Sequence, residues 1–423
     1  MSEISYQTPG GTRIYCYKNP ALHSFYISLF VRAGAVYEDE NSAGIAHFLE
    51  HVSIRNVNKL YSYGLYSMLD REGIEFNATT YSDLVQFYVC GAKEKFAKGA
   101  EIISHVLSPL VLDSSEISAE RRRIKAEIRE SDDKSSLASF TSDIVFHDTP
   151  LAHSIIGTNK AIDKIGVKRL SEYAAEVLVS DNIFFYVTGS FTDDDISELS
   201  RLIDSHGISG GEKASNLALV PTDYFNRADE VYIKNTDITV MRFTFDVDMT
   251  ACTVAESDLL YDLLLSGYNS RLFIEMSENR GIFYDISGAI ERYRNIGSLY
   301  FYFELKEKDV YEAAELVVDI LNSLKDERFA DAECMKAAYV DNSYMLYDDV
   351  RELNFTFAYD NHVMEQGYTS VEDRKNRYAD ITSSRLAQLA RMIFVRKNLT
   401  LTMKGSKSKT DSGRLLEILR RLG

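Results

Sequence analysis

Residues 45–52 read Ile-Ala-His-Phe-Leu-Glu-His-Val, and the expected fold is built around this stretch. At 3.6 residues per turn its large apolar residues fall at i, i+3, i+4 and i+7, which makes one apolar face of a helix. His47, Glu50 and His51 fall on the other side of the same helix. The pattern predicts a helix that buries one face in a core and presents two imidazoles and a carboxylate on the other.

These three polar residues are suited to metal chemistry. Side chains four residues apart on a helix lie over each other, so His47 and His51 can bind one Zn²⁺. Glu50 lies beside that metal position, where a carboxylate can take a proton from a water molecule. A lone histidine is more often packed or solvated, but a pattern of three fixed polar types is rarer by chance. Zinc binding is therefore the preferred interpretation of the motif.

Size and charge restrict the class of protein. The 423 residues exceed one ordinary core, so two or more domains are expected. The formal net charge of −17 argues against a nucleic-acid partner. No run of 18 apolar residues occurs, so no membrane span or membrane partner is expected. Widely scattered cysteines and the absence of a visible signal peptide predict reduced thiols and a cytoplasmic location.

The second half of the chain repeats features of the first. Phe25 to Val31 alternate as a strand, and Met241 to Val247 alternate in the same way before another helix. Two Lys-Glu-Lys triplets, at 93–95 and 306–308, are 213 residues apart, about half the chain. This echo predicts a duplicated α/β unit in which the first copy alone carries the metal motif.

A glycine-containing polar stretch is the candidate boundary between the two units. Residues 205–220 contain Gly207, Gly210 and Gly211 and form the one loose polar stretch in mid-chain. We therefore expect a zinc-bearing domain at 1–204, a linker at 205–220 and a second domain without a metal motif at 221–423.

A helix that opens at Asp113 is the other candidate contributor to the site. Glu116 follows three residues later in the manner of a capping box, and an isoleucine stripe runs along the helix. Glu120 and Glu127 lie at the edge of that stripe. The pattern leaves two readings open: partly buried carboxylates that are paired or metal-bound, or carboxylates solvated among neighbouring arginines.

At this point the residues resemble a known family. His47-Phe-Leu-Glu50-His51 is the inverted zinc motif His-x-x-Glu-His, and the chain resembles the pitrilysin-type metallopeptidases. The resemblance is closest to the short branch that includes mitochondrial processing peptidase and its bacterial relatives. The matching stretches are Gly44–His51, Asn77–Thr80, Glu120-Arg with Ala126-Glu-Ile, Pro150-Leu, Ile156-Gly-Thr, Asn182–Gly189, Asn269–Phe273 and Arg280–Tyr284.

The resemblance implies an α+β fold with two duplicated α/β roll-type domains. Each would be an antiparallel-rich mixed sheet with helices packed on one side. It also implies one Zn²⁺ per chain, bound by His47, His51 and Glu127, since Glu127 stands 76 residues after His51 at the family's spacing. Glu50 would be the catalytic base, and Glu120 would support a ligand histidine from outside the metal's coordination sphere.

The resemblance also implies how a peptide would bind. Asn77, Ala78 and Thr79 match the strand along which the family binds peptide substrates. Tyr284 matches the family's catalytic tyrosine, which is paired with an arginine seven residues earlier. That arginine position holds Ser277 here, and Arg280 is the nearby cation.

Three functions follow as expectations. The first is a zinc endopeptidase whose two chains close around a chamber and hydrolyse small unstructured peptides, for degradation or for removal of a leader. The second is the zinc-bearing subunit of a heterodimer whose related partner supplies the missing arginine. The third is a peptide-binding subunit without catalysis, which the intact Glu50 argues against.

Overall fold

The computed structural model describes residues 1–131, 136–211, 226–266, 269–328 and 332–423. Within these residues six strands form the first sheet, in the order β1-β2-β6-β3-β5-β4. They are β1 (Ile4–Gln7), β2 (Arg13–Lys18), β3 (Ser24–Val31), β4 (Glu75–Thr80), β5 (Val85–Ala92) and β6 (Ile183–Gly189). The β2–β6 pair is parallel and the other pairs are antiparallel.

The second sheet repeats this arrangement. Its five described strands have the order β7-β11-β8-β10-β9, with β7–β11 parallel and the remaining pairs antiparallel. They are β7 (Val231–Asn235), β8 (Val240–Asp248), β9 (Ser287–Arg292), β10 (Ile296–Glu304) and β11 (Leu399–Gly405). The order β2-β6-β3-β5-β4 thus recurs as β7-β11-β8-β10-β9. The predicted α+β class and the duplication are confirmed.

Helices follow the strands in both halves. In the first half they are α1 (Ile45–Leu60), α2 (Leu65–Glu72), α3 (Phe96–Ser104), α4 (Ser114–Ser131), α5 (Leu137–Val145), α6 (Asn159–Lys164), α7 (Val167–Val177) and α8 (Asp193–Ser205). In the second half they are α9 (Val254–Leu265), α10 (Val310–Ser323), α11 (Glu333–Asn342), α12 (Val350–His362), α13 (Val371–Ala379), α14 (Ser383–Ile393) and α15 (Ser412–Leu419).

Each sheet packs its main helix layer against one face. In β3, Phe25, Ile27, Leu29 and Val31 point into the core that α1, α3 and α8 cover. In β8, Met241, Phe243, Phe245 and Val247 point into the corresponding core of the second half. This alternation places α1, and with it the metal motif, directly on the first sheet.

The structure adds a helix on the opposite face of each sheet, contributed by the other half of the chain. Asn354 of α12 is buried against the first sheet, where it accepts a hydrogen bond from Ser28 Oγ at 2.7 Å. Thr141 of α5 lies against the second sheet, with its Oγ1 2.6 Å from Oγ1 of Thr402. The two halves are therefore joined by an exchange of helices as well as by the chain connection.

The predicted division into 1–204, 205–220 and 221–423 stays a prediction. Residues 212–220 of the expected linker lie outside the described residues. The two sheets occupy the spans 4–189 and 231–405. Among the helices that the structure describes, none has the length and apolar character to cross a lipid bilayer.

Candidate metal centre

The metal motif lies in the first two turns of α1. The predicted apolar face is confirmed: Ile45, Phe48, Leu49 and Val52 are each at most 2% exposed. Burial of four such side chains fixes the rotation of the helix about its axis. That rotation turns His47, Glu50 and His51 away from the sheet core and toward the facing helix α4.

The entry to α1 is held by close backbone contact. Gly44 precedes the helix with φ of 89°, and a Cβ there would lie 2.8 Å from Gly157 Cα. Gly157 itself has φ of 75°, and its own Cβ would lie 2.3 Å from Ala43 O. Only glycine fits at either position without strain. The two segments that matched the family in sequence are thus in contact here.

Glu38 completes the N-terminus of α1. Its carboxylate accepts hydrogen bonds from the backbone N–H of Gly44 at 2.6 Å and of Ala46 at 2.9 Å. These N–H groups belong to the helix end that has no partners within the helix. Burial raises the pKa of Glu38 to about 7, and the two hydrogen bonds from the backbone oppose that rise.

The third expected ligand comes from α4, where Asp113 and Glu116 form the predicted reciprocal cap. Glu127 Oε2 lies 3.6 Å from His47 Nε2 and 3.5 Å from His51 Nε2. The two imidazole rings are 4.6 Å apart. In the described part of the chain, His47, His51 and Glu127 form the one cluster whose potential ligand atoms all lie within 4.8 Å of one another.

This cluster fits zinc. Two imidazole nitrogens and one carboxylate oxygen are the donor set of catalytic zinc sites with an open fourth position. Ligand atoms around a tetrahedral zinc with bonds of about 2.0–2.1 Å lie roughly 3.4 Å apart, close to the separations in this cluster. Burial and the neighbouring His51 lower the pKa of His47 to about 4, which keeps its imidazole neutral as metal binding requires.

Glu120 supports His51 from the side away from Glu127. Its side chain is 1% exposed, with Oε2 3.4 Å from His51 Nδ1 and Oε1 2.5 Å from Arg55 Nη1. Burial opposes its charge, but the hydrogen bonds with His51 and Arg55 and the charge of Arg123 hold the pKa of Glu120 at about 2. The reading of Glu120 as a solvated surface carboxylate is wrong. A carboxylate that accepts Nδ1–H leaves Nε2 of the histidine free for a metal.

Glu50 is held in position by the neighbouring edge strand. Its Oε2 accepts a hydrogen bond of 2.6 Å from Thr80 Oγ1, at the end of β4. Burial raises the pKa of Glu50, while the Thr80 hydrogen bond and His51 oppose the rise. A carboxylate with a raised pKa is better matched to accepting a proton near neutral pH.

The predicted peptide-binding residues lie on β4, the outermost strand of the first sheet. Asn77 and Thr79 are exposed, and Ala78 packs against the core beneath. Among the described strands β4 pairs with β5 alone, so the backbone of its other edge is open. An extended peptide can add to such an edge as a further strand.

The expected clamp residues of the second half have other contacts or none that join them to this cluster among the described residues. Arg280 forms a 3.2 Å ion pair with Glu312, and Tyr284 is 98% exposed. Ser277, at the family's arginine position, donates a hydrogen bond of 3.0 Å to Phe283 O. Among the described residues, no hydrogen bond or ion pair joins Arg280 or Tyr284 to the metal cluster. Their assigned roles stay predictions.

Sequence reasoning missed two contributors to the site. Arg55 holds Glu120, and Thr80 holds Glu50. A signal existed for Arg55, because it stands four residues after His51 and therefore on the same helix face. Thr80 belongs to the matched Asn77–Thr80 stretch, but nothing in the pattern showed that its hydroxyl would point to Glu50.

Comparison with protein families agrees with this geometry. Residues 13–159, which contain all of α1 and α4, match the family described as insulinase (peptidase family M16). Residues 164–338 match the domain described as the peptidase M16 inactive domain. The two matches together cover most of the chain, with every residue of the metal cluster in the first.

Individual relatives have low sequence identity to this chain, and their alignments cover different shares of it. An uncharacterized zinc protease of Rickettsia bellii is 24% identical over 91% of this chain and 93% of its own length. The mitochondrial-processing peptidase subunit beta of Saccharomyces cerevisiae is 27% identical over 49% of this chain and 47% of its own. A solved protease structure from Helicobacter pylori has a TM-score of 0.77 and 18% identity, covering 95% and 99% of the two chains.

Proposed function

The chain belongs to peptidase family M16, the insulinase family, and from this premise we propose that it is a zinc-dependent endopeptidase acting on small unstructured peptides. One observation carries the proposal. The two histidine Nε2 atoms of His47 and His51 converge on Glu127, and Glu50 is held beside them by Thr80. Binding groups and a proton acceptor are thus assembled in one place within a single chain.

The chemistry divides between the metal and the chain. Zinc bound by His47, His51 and Glu127 supplies Lewis acidity, which makes water acidic near neutral pH and polarises a peptide carbonyl. Glu50 accepts the proton from the attacking water and later delivers it to the leaving amine. Thr80 keeps the carboxylate of Glu50 in one orientation during both steps.

Substrate recognition would rest mainly on the peptide backbone. The open edge at Asn77, Ala78 and Thr79 leads to Thr80, whose hydroxyl contacts Glu50. A peptide added along β4 would therefore bring one of its bonds close to the metal cluster. Backbone pairing needs an extended chain, which favours unstructured peptides over folded proteins.

The second candidate is the zinc-bearing subunit of a two-chain enzyme. Tyr284 is 98% exposed and Ser277 replaces the expected arginine, so the clamp lacks its cation in this chain. One relative is itself named as the beta subunit of a processing peptidase. In a homodimer, or in a heterodimer with a related chain, the two chains would enclose the peptide between them. A third candidate, a peptide-binding subunit without catalysis, is the least compatible with the ordered Glu50.

The test is hydrolysis of a mixed pool of unstructured peptides by the purified chain and by Glu50→Gln, with bound zinc measured in both. The proposal predicts zinc in both proteins and cleavage by the wild type alone. Glu40→Gln, an exposed glutamate before α1, is the matched control and should cleave normally. Zinc without cleavage by the wild type would favour the two-chain candidate, and addition of a related chain should then restore activity.

A further inference from the structure

Arg242 is a buried cation that the proposed function does not use. It lies in β8, and its neighbours Met241 and Phe243 point into the core, so Arg242 stands on the opposite, outer face of the second sheet. It is 9% exposed, yet no carboxylate of the described residues lies within 4.0 Å of it. Glu291 of β9, on the same face, attracts the guanidinium from beyond ion-pair distance. A buried charge without a counter-ion in contact is costly, and the structure gives no such contact for Arg242 among the described residues.

Four other arginines of the second half, with side chains 10–15% exposed, show what is unusual about Arg242. Each of them forms an ion pair with an aspartate within the chain. The pairs are Arg227 with Asp246, Arg292 with Asp258, Arg374 with Asp360 and Arg396 with Asp229. Arg242 differs in having no carboxylate at ion-pair distance among the described residues.

The guanidinium of Arg242 is nevertheless held in a fixed position. Its Cζ lies 3.6 Å from the centre of the Tyr300 ring, and its Nε donates to Thr244 Oγ1 at 3.3 Å. Beyond Tyr300 and Thr244, it has no hydrogen-bond partner in the part of the chain that the structure describes. Stacking on an aromatic ring orients the planar donor fork while leaving its outer N–H groups free.

The strand register leads from Arg242 to the open edge of the second sheet. Tyr302 of β10 pairs with Arg242 on one side and with Ser287 on the other, so the three lie in one row on the same face. Strand spacing of about 4.8 Å puts the Arg242 backbone roughly 10 Å from Ser287, the first residue of the edge strand β9. Tyr302 is 38% exposed, so solvent reaches this row.

This outer face is turned toward the half that carries the metal helix. Further along the same face, Arg227 bridges Asp246 of β8 and the carbonyl of Val145 in α5. At the β9–β10 turn the rings of Tyr293 and Phe146 are 6.2 Å apart. Thr402, which pairs with Arg242 on the other side, contacts Thr141 of α5. Arg242 thus lies on a sheet face that α5 of the zinc-bearing half covers on one side and that is open toward the edge strand β9.

We propose that Arg242, supported by Tyr300 and Tyr302, binds a carboxylate group of the peptide substrate. The carboxylate is an acidic side chain or the C-terminus of the peptide. A guanidinium fork pairs with a carboxylate through two parallel hydrogen bonds, and partial burial strengthens that pair. The inference rests on the proposed peptidase function, and it adds a preference for substrates with a carboxylate at one defined distance from the cleaved bond.

Binding tests the inference without requiring cleavage. Zinc-loaded Glu50→Gln is titrated into fluorescent unstructured peptides of one length in three forms: one internal Glu with an amidated end, Gln with a free C-terminus, and Gln with an amidated end. The Glu is moved along the peptide in a series. We expect at least one carboxylate form to bind about tenfold or more tightly than the neutral form. The form that gains affinity identifies the source of the carboxylate.

The same titrations with Arg242→Gln added to Glu50→Gln should abolish the difference between the forms. Arg242→Lys keeps the charge but loses the fork and the ring stacking, so most of the preference should disappear there too. If Arg242→Gln does not fold, Arg242→Lys provides the test instead. Arg294→Gln, an exposed cation of the β9–β10 turn, is the matched control and should keep the preference.

The possible results separate the two claims. Equal affinity for all forms, no binding of any form, or a preference that survives Arg242→Gln would overturn the inference. Cleavage of the neutral peptide by the wild-type chain would leave the peptidase proposal standing in each of these cases. A carboxylate preference lost in Arg242→Gln, together with no cleavage by the wild type, would support the binding role and contradict the peptidase proposal alone.

Discussion

Arg55 stands one helical turn after His51 in α1, and both residues contact the same carboxylate of α4. Its guanidinium pairs with Glu120, which in turn accepts Nδ1–H of His51. One turn further on, Lys59 pairs with Glu116 at 2.6 Å. Successive turns of α1 therefore meet successive carboxylates of α4, and the ligand His51 is the first residue in this series.

Replacement of Arg55 tests whether this link positions the ligand. Arg55→Met leaves Glu120 buried beside His51 without its closest cation, so we expect zinc affinity to fall about tenfold or more. Arg55→Lys should recover part of the loss, because it restores the charge without the planar fork. The zinc dissociation constant of each variant is measured by competition with a chelator.

Arg122→Gln is the control for this comparison. Arg122 is an exposed residue of α4, and no hydrogen bond or ion pair of the described residues joins it to Glu120, so its loss should leave zinc affinity unchanged. Equal zinc affinity in Arg55→Met and Arg122→Gln would show that Arg55 contributes nothing to the position of His51.

At the scale of single elements, α1 depends on a residue outside the helix. Glu38 satisfies two of the N–H groups at its start, and α1 carries both of the proposed histidine ligands. The glycine contact between Gly44 and Gly157 fixes the same helix end against a separate loop. The order of this one helix terminus therefore affects both the stability of the folded chain and the positions of His47 and His51.

Burial raises the pKa of Glu38 to about 7, so its acceptor oxygens, more than its charge, serve this helix end at neutral pH. Glu38→Ala removes both acceptors, and we expect the free energy of unfolding to fall by about 1–2 kcal/mol, as for loss of a helix cap. Zinc affinity should fall as well, since the histidines would be less well ordered. Thermal denaturation with and without zinc measures both, and Glu40→Ala should match the wild type. An unchanged melting temperature in Glu38→Ala would contradict the capping role.

Across the whole molecule, the two halves meet where the hairpin between β4 and β5 contacts α12. Asp83 in that hairpin is 4% exposed, and Tyr359 of α12 donates a hydrogen bond to it at 3.2 Å. The single hydroxyl proton of Tyr359 is shared with Arg292 O, which lies 2.7 Å from Tyr359 Oη at the end of β9. The strand β4, along which we propose that a peptide binds, is therefore tied at this end to the second half of the chain.

Stability at this junction should depend on pH. Burial raises the pKa of Asp83 to about 6, opposed by the Tyr359 hydrogen bond, so the folded chain holds the proton more tightly than the unfolded one. The stability gained from the protonated group is present below about pH 4 and is lost as pH rises to about 6. The side chain of Asp83→Asn is neutral at every pH, so the cost of burying a charge is removed. This change should therefore stabilise the chain at pH 7 by about 3 kcal/mol.

Chemical denaturation of the wild type and Asp83→Asn from pH 4 to pH 7 measures this difference. The two stabilities should converge near pH 4 and separate toward neutral pH. Asp181→Asn, a change of a surface aspartate in the first half, should show no such divergence. A wild type that is more stable than Asp83→Asn at pH 7 would contradict the assigned direction.

The sequence predicted local features well, because local spacing determines them. The apolar face of α1 and the cap at Asp113 follow from helical periodicity. Glu127 could be assigned only through the family spacing, since helical pattern alone left it open to solvation. The exchange of α5 and α12 depends on contacts such as Ser28 with Asn354, which are 326 residues apart. Nothing local encodes that pairing, although Tyr26 and Phe30 on the outer face of β3 indicated a sheet buried on both sides.

The measurement that tests the central claim most directly is zinc bound per chain by the wild type, Glu127→Gln and Glu130→Gln. Glu130 lies on the same helix as Glu127 but is exposed, so it is the matched control. We predict about one zinc ion per chain in the wild type and in Glu130→Gln. In Glu127→Gln the zinc dissociation constant should rise by more than the 10- to 100-fold that is typical of changes outside the coordination sphere. Equal zinc affinity in all three chains would contradict the assignment of the metal centre.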